Sequence, residues 1–319
     1  IVPRSFRGRG QKGIRDSPGP RGIGASNGAS LCANADETGA DRLVWVINQL
    51  PGRCYAKAAP KSDSLVHEVG AVLGKTNAAL ADFQHPGLER DFKWNLMQAG
   101  WIADDLDCIA DPARRALLTD IHGAFAELAP DLAKLPQQAI HNDANDYNII
   151  VSGELSEPRR VSGLIDLGDM CNAPRVCDLA IAAAYIVLDH PDPEAALAAL
   201  VSGYHSACPL TPAEVDMIWP LLRARLAVSV VNSTLMGAEN PDDPYVTISQ
   251  APAWRFLEGF DLNAQLVNAR LRAACGPPGV AGCLISTSDA ADEPRGADLA
   301  SPTTATRHNT TRRRLCTAA

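Results

Sequence analysis

One stretch constrains this chain more than any other: His141-Asn142-Asp143-Ala144-Asn145-Asp146-Tyr147-Asn148, followed directly by the apolar run Ile149-Ile150-Val151. Asp and Asn clusters cap helices and build turns, and alone the stretch reads as an ordinary solvated loop. Here it lies between an alanine-rich helical segment and a strand-like run. Further on, Leu164-Ile165-Asp166-Leu167-Gly168-Asp169 again leads from apolar residues into an Asp and a Gly. In this order, with room for a hairpin between them, the two stretches read as one site rather than two turns.

His141, Asp143 and Asn148 are spaced as H-x-D-x-x-x-x-N. That is the spacing of a kinase catalytic loop, in which the Asp takes a hydroxyl proton and the Asn holds a magnesium ion. Asp166 and Gly168 match the metal-binding D-x-G that follows. Together with Pro174-Arg175-Val176-Cys177-Asp178-Leu179-Ala180, this wording resembles the aminoglycoside phosphotransferase and choline kinase-like superfamily. It is most similar to the hydroxylysine kinase branch and to the kinase-like domain that some bacteria fuse to a class III aminotransferase. The resemblance runs from about Gly22 to about Ala274 and is clearest between Ile140 and Trp254. It implies an α+β, protein kinase-like fold with a truncated small β lobe and a large, mainly α-helical lobe.

On that resemblance Asp143 orients the acceptor hydroxyl and accepts its proton, while Asn148 and Asp166 supply oxygen ligands to Mg2+. His141 joins Asp143 in the catalytic set, more as a hydrogen-bonding brace than as an acid or base. Gly168 lets the backbone turn tightly. Asp169 is open to three readings: a second metal or water ligand, a helix cap, or an acid that holds a substrate amine. Asp146 and Glu239 are candidates for that amine contact, with Asp242 and Asp243 in the same acidic loop. Asp178 braces the catalytic loop in the family; as a bare sequence feature it is a favourable charge at a helix N-terminus, and both readings hold together. Leu50-Pro51-Gly52-Arg53 looks like the hinge between lobes, which makes Val46, Asn48 and Leu50 candidate contacts to the purine of ATP or GTP. A strand followed by a Pro-Gly turn explains the hinge stretch equally well. The implied acceptor is a small hydroxylated amine or amino acid, hydroxylysine being the best single name, and a longer parent fused to an aminotransferase domain is a possible partner arrangement.

The net charge of −8 argues against a nucleic-acid partner, since no basic face could dominate. The longest apolar run, Leu179 to Leu188, is far short of a membrane span. Nine cysteines, an odd number without any C-x-x-C, read as reduced thiols of a cytoplasmic protein rather than as disulfides or a zinc site.

The chain divides into a disordered segment (1–21), a remnant of the small β lobe (22–50), a helical lobe carrying the catalytic loop (51–274) and a disordered tail (275–319). Gly8-x-Gly10-x-x-Gly13 matches a phosphate-loop pattern by letters but has no strand beside it. In the remnant, two short strands flank a turn-rich centre, 33–40, the second being Leu43-Val44-Trp45-Val46-Ile47. Helices are expected from a Ser64 cap to Phe83, from Asp111-Pro112 to about Leu132, over 176–188, 194–206 and 212–236, and as one helix over 253–274. No glycine-rich loop, strand lysine or paired helix glutamate precedes the hinge, where Lys12 is the sole lysine. The leading reading is therefore a small-molecule phosphotransferase with an intact base and metal pair but an incomplete phosphate-gripping lobe. The alternative is a catalytically impaired, pseudokinase-like fragment of a kinase–aminotransferase fusion. A metal-dependent hydrolase using the same cluster would need no second lobe.

Overall fold

Leu65, Val66, Val69, Val72, Leu73 and Leu80 recur at helical spacing and bury one stripe of α1 (Asp63–Leu80). The computed structural model describes residues 19–24, 28, 32–35, 37–153, 158–260 and 262–276; the Gly8–Gly13 pattern and nearly all of both expected disordered segments lie outside these residues. Ser62 rather than Ser64 caps α1, its hydroxyl accepting the Leu65 N–H at 3.3 Å. This places Asp63 in the first turn, where a carboxylate favours the helix dipole. The helix stops at Leu80, short of the expected Phe83.

After the single turn α2 (Ile102–Asp105) come the long helices α3 (Pro112–Leu132), α4 (Arg175–Ile186), α5 (Pro193–Ala207) and α6 (Pro212–Glu239). Asp111 caps α3 with Pro112 at its first position, as the sequence predicts. The single helix expected over 253–274 is two, α7 (Gln250–Gly259) and α8 (Ala264–Ala274). Asn263 accepts the N–H groups of Gln265 and Leu266 and starts a new helix where the apolar period alone runs on.

At the centre lies α4, in which every residue from Val176 to Ile186 is buried. It packs against α5 and α6. The α1–α5 crossing is closer still: a β-carbon on Gly203 would run into the His67 carbonyl, and one on Gly70 into the Leu200 carbonyl.

The strands are short. Among the described residues, β1 (Gly22–Ile23) pairs with β4 (Val46–Ile47), and β2 (Cys32–Ala35) with β3 (Asp41–Val44), all antiparallel. The expected turn-rich centre thus holds most of a strand, and the expected strand over 43–47 breaks at Trp45. Val44, Trp45, Val46 and Ile47 are all roughly half exposed, because no described layer covers them. Beyond Pro51, β5 (Arg53–Cys54) pairs with β7 (Ile149–Ser152), which forms a hairpin with β8 (Arg160–Leu164). Gly52, at φ 125°, lies against the Val151 backbone where no side chain fits. β6 (Gln137–Ile140) pairs with β9 (Cys171–Pro174). Strands β6 and β7 therefore enter and leave the Asn/Asp loop, while β8 and β9 enter and leave the Asp166 turn.

Asp178, in the first turn of α4, is wholly buried and serves that loop. Its carboxylate accepts the backbone N–H of Asn142 at 2.8 Å and of His141 at 3.1 Å. The Asn77 side chain of α1 donates to it at 2.6 Å, and the Tyr204 hydroxyl of α5 donates to Asn77 in turn.

Two outcomes follow from this packing. Gly203→Ala is expected to lower unfolding free energy by about 2 kcal/mol in urea titration, because α1 and α5 must separate. Asp178→Ala leaves two buried backbone N–H groups unpaired and should cost roughly 3 kcal/mol. Hydrogen exchange at His141 and Asn142 should accelerate in the same variant; unchanged protection there would show that another group holds the loop.

Candidate active site

The loop leaves β6 through two tight residues. Asn142 sits at φ 63°, a left-handed conformation that Asn tolerates. His141 is wholly buried. Its Nδ1 accepts the Asp143 N–H at 3.3 Å, and its Nε2 lies 3.0 Å from the Ile165 carbonyl. With Nδ1 accepting, Nε2 carries the hydrogen and donates to Ile165. His141 thus links the loop to the strand end just before Asp166, as a brace rather than as a group open to a reactant.

Asp143 is held on both oxygens. Oδ1 accepts from Asn145 Nδ2 at 3.0 Å and from the Arg225 guanidinium at 3.1 Å. Oδ2 accepts from Asn148 Nδ2 at 2.8 Å, and the same Nδ2 also donates to the Asp143 carbonyl. Burial pushes the Asp143 carboxyl above its ordinary range, against the pull of Arg225, Asn145 and His141.

Asn148 and Asp166 are brought together by the hairpin. Ile149 pairs with Leu164, and the Ile165 N–H donates to the Asn148 carbonyl at 2.9 Å. Asp166, next along, takes φ 64° and caps a short turn, its Oδ1 accepting the Gly168 N–H at 3.1 Å. The left-handed residue of this turn is therefore Asp166, not Gly168, where a β-carbon would come within 3.0 Å of Asp166 Oδ1. Asp169 caps no helix, since it lies inside the turn that Asp166 caps and β9 follows. Asp169 ends the turn 4.0 Å from Arg90, whose guanidinium donates to the Gly168 carbonyl at 2.6 Å.

Asp146 lies on the other side of the loop. Its carbonyl accepts the Ala56 N–H at 2.9 Å, which joins the loop to the segment after β5. Burial raises its carboxyl to about 6, with the Lys61 ammonium pulling the other way. Lys61 also lies 4.7 Å over the ring of Tyr55, whose buried hydroxyl has no partner. The adjacent Tyr147 meets Tyr245 edge to face, with ring centroids 6.0 Å apart. Tyr245 is 61% exposed; burial and the charges of Asp143, Asp146 and Asp166 raise its hydroxyl. Glu239, by contrast, is the exposed last residue of α6 and makes no hydrogen bond or ion pair with these groups among the described residues.

The proposed nucleotide edge is less complete. Val46 is 58% exposed on β4. Asn48 is tied to Arg21: its N–H donates to the Arg21 carbonyl at 3.0 Å, and its side-chain oxygen accepts the Arg21 N–H. The Asn48 N–H is thus not available to a base. Leu50 is partly buried beside Pro51, whose carbonyl accepts the Ser162 hydroxyl at 2.7 Å.

Sequence reasoning missed Arg225, Tyr245, Arg90 and Lys61. Arg225 alone left a signal, a charge within the otherwise apolar run from Leu221 to Val231 broken only by Arg223 and Ser229. Among the described residues no cluster of three or more His, Cys, Asp or Glu is placed to hold a metal. Asn148 and Asp166 suit a different kind of site. With its amide hydrogens directed at Asp143, Asn148 has its side-chain oxygen left for a cation, and Asp166 offers a second, exposed carboxylate oxygen. Two hard oxygen donors fit an ion whose other ligands are water and phosphate.

Comparison with known proteins identifies relatives in sequence and in fold. A hydroxylysine kinase of Mus musculus is 27% identical over 236 residues, which cover 70% of this chain and 62% of that protein. The chain thus spans less than two thirds of that relative's length. Two solved structures share the fold. An amicoumacin kinase in complex with AMP-PNP, Ca2+ and Ami superposes with a TM-score of 0.56 at 15% identity, covering 81% of this chain and 80% of that one. A microcompartment-associated aminopropanol kinase superposes with a TM-score of 0.55 at 16% identity, covering 82% and 86%. The sequence profile of the phosphotransferase enzyme family matches residues 11–217, about two thirds of the chain, and with the Asp143–Asn148–Asp166 arrangement it places this protein in that family.

Proposed function

We propose that this protein transfers the γ-phosphoryl group of ATP or GTP to the hydroxyl of a small amine-bearing acceptor, with hydroxylysine as the first compound to test. One observation carries the reading: Asp143 is fixed on three sides, and the β7–β8 hairpin sets Asn148 beside Asp166. Phosphoryl transfer needs a placed nucleophile and little covalent participation by the protein.

In the proposed reaction Asp143 orients the acceptor hydroxyl and takes its proton as the new oxygen–phosphorus bond forms. The bond from the γ-phosphorus to its bridging oxygen breaks, and the nucleoside diphosphate leaves. Desolvation of Asp143 makes its carboxylate a better base than one in water. Asn148 and Asp166 would hold magnesium, which when bound neutralises charge on the nucleotide phosphates. Asp178 and His141 keep the loop in shape, and Arg90 holds the turn after Asp166.

The acceptor's amine is supported by the mouth of the site. Tyr147 and Tyr245 present aromatic rings beside Asp143, Asp146 and Asp166, and both ring faces and carboxylates attract an ammonium group. Of the proposed amine contacts, Asp146 acts on both tyrosine rings, with Lys61 as a cation already near it, while Asp169 lies 4.0 Å from Arg90. At the hinge, the base would meet the backbone near Val46 and Leu50 rather than the Asn48 N–H.

Phosphorylation of hydroxylysine, homoserine and aminoglycosides with ATP or GTP and magnesium tests this. Turnover of an amine acceptor is expected, with kcat reduced about 100-fold or more in Asp143→Ala. Tyr245→Ala should raise KM for the amine acceptor several-fold, on the order of the 1 kcal/mol of an exposed cation–π contact, while KM for the nucleotide stays unchanged. A folded protein with no turnover on any acceptor would sink the proposal.

A further inference from the structure

We propose that Arg225 is the positioning residue for Asp143, a two-armed clamp that fixes which carboxylate oxygen faces the acceptor hydroxyl. This deepens the phosphoryl-transfer reading and rests on it.

Arg225 rises from the middle of α6, and its side chain is only 2% exposed. One terminal nitrogen donates to Asp143 Oδ1 at 3.1 Å, the other to the Trp94 carbonyl at 3.1 Å. The Asn142 side chain donates to the same Trp94 carbonyl at 3.3 Å. A single backbone oxygen therefore ties the arginine to the left-handed residue that begins the loop. The guanidinium also lies 4.6 Å from the Trp94 ring centre and 5.6 Å from that of Tyr185, which limits how it can swing.

The donors on Asp143 are unevenly shared. Oδ1 accepts from both Arg225 and Asn145, which fills its two lone pairs; Oδ2 accepts only from Asn148. One acceptor position remains, on Oδ2, and that is the oxygen assigned to the incoming hydroxyl. Without Arg225 the carboxylate could rotate and present either oxygen.

Stability alone is a poor explanation for this residue. A buried ion pair is often no better than well-packed apolar side chains of similar volume, and α6 is otherwise apolar around it. Moreover, Arg225 Nε is buried without a partner, a further energetic penalty. Lysine would keep the charge but not the planar fork that reaches two acceptors at once.

The test uses the full chain with Arg225→Lys, Arg225→Met, Asp143→Asn and the double variant Asp143→Asn/Arg225→Met. In thermal melts the two single neutral variants should be non-additive, the double variant being more stable than the sum of their losses predicts. This arm needs no turnover, so it reports on the clamp even if the kinase reading fails; strict additivity would overturn the inference. With an acceptor that wild type phosphorylates, Arg225→Lys should lose about tenfold or more in kcat while both KM values stay within about twofold. Wild-type kcat in Arg225→Lys, or a loss confined to KM, would also overturn it. Arg225→Lys keeps the buried charge, so this arm stands if Arg225→Met fails to fold.

Discussion

The site depends on one buried carboxylate. As the chain leaves β6 it gives up its sheet partners, and the N–H groups of His141 and Asn142 need acceptors in an interior without water. Asp178 supplies both from the first turn of α4, where the helix dipole favours a negative charge. Because α4 is buried from Val176 to Ile186, the loop inherits the rigidity of the core. Asn77 and Tyr204 extend the same network to α1 and α5, whose close crossing at Gly70 and Gly203 leaves little room for relative motion.

The catalytic carboxylate has a second anchor of opposite sign. Arg225 reaches Asp143 from α6, so the loop is suspended between an acid on one core helix and a base on another. The hairpin then carries the geometry across to the Asp166 turn through Ile165, which is bonded to both Asn148 and His141. Arg90 closes the far side of that turn. Each proposed chemical group is thus referenced to a separate rigid element, the arrangement that keeps a site within tight geometric limits.

Much of this was legible in the residues. The spacing of Asp143 and Asn148, the following Asp166, and the capped start of α3 at Asp111-Pro112 are local patterns; the cap forms as expected and the hairpin sets Asn148 beside Asp166, though the left-handed residue of that turn is Asp166 rather than Gly168. Local signals also misled. Ser62 and Ser64 are equally good caps by type, and only the docking of α1 selects the first. An unbroken apolar period hid the new start at Asn263. Trp45 and its neighbours read as one apolar strand, yet the strand breaks at Trp45 and the stretch is half exposed, since coverage depends on a second layer that composition does not report. Acidity alone leaves Glu239 a candidate amine contact and no more, because charge carries no information about position.

The sequence by itself determined the chemistry: which oxygen-bearing side chains exist, their spacing along the loop, and the alternation of strand and helix that exposes them. Tertiary structure alone decided the partners. Arg225 is 82 residues from Asp143 and Asp178 is 36 from Asn142, separations at which no periodicity or motif links one charge to another. Their pairing is set when α4 and α6 pack on the same core, since buried charges must find each other there or remain unpaired at large energetic cost.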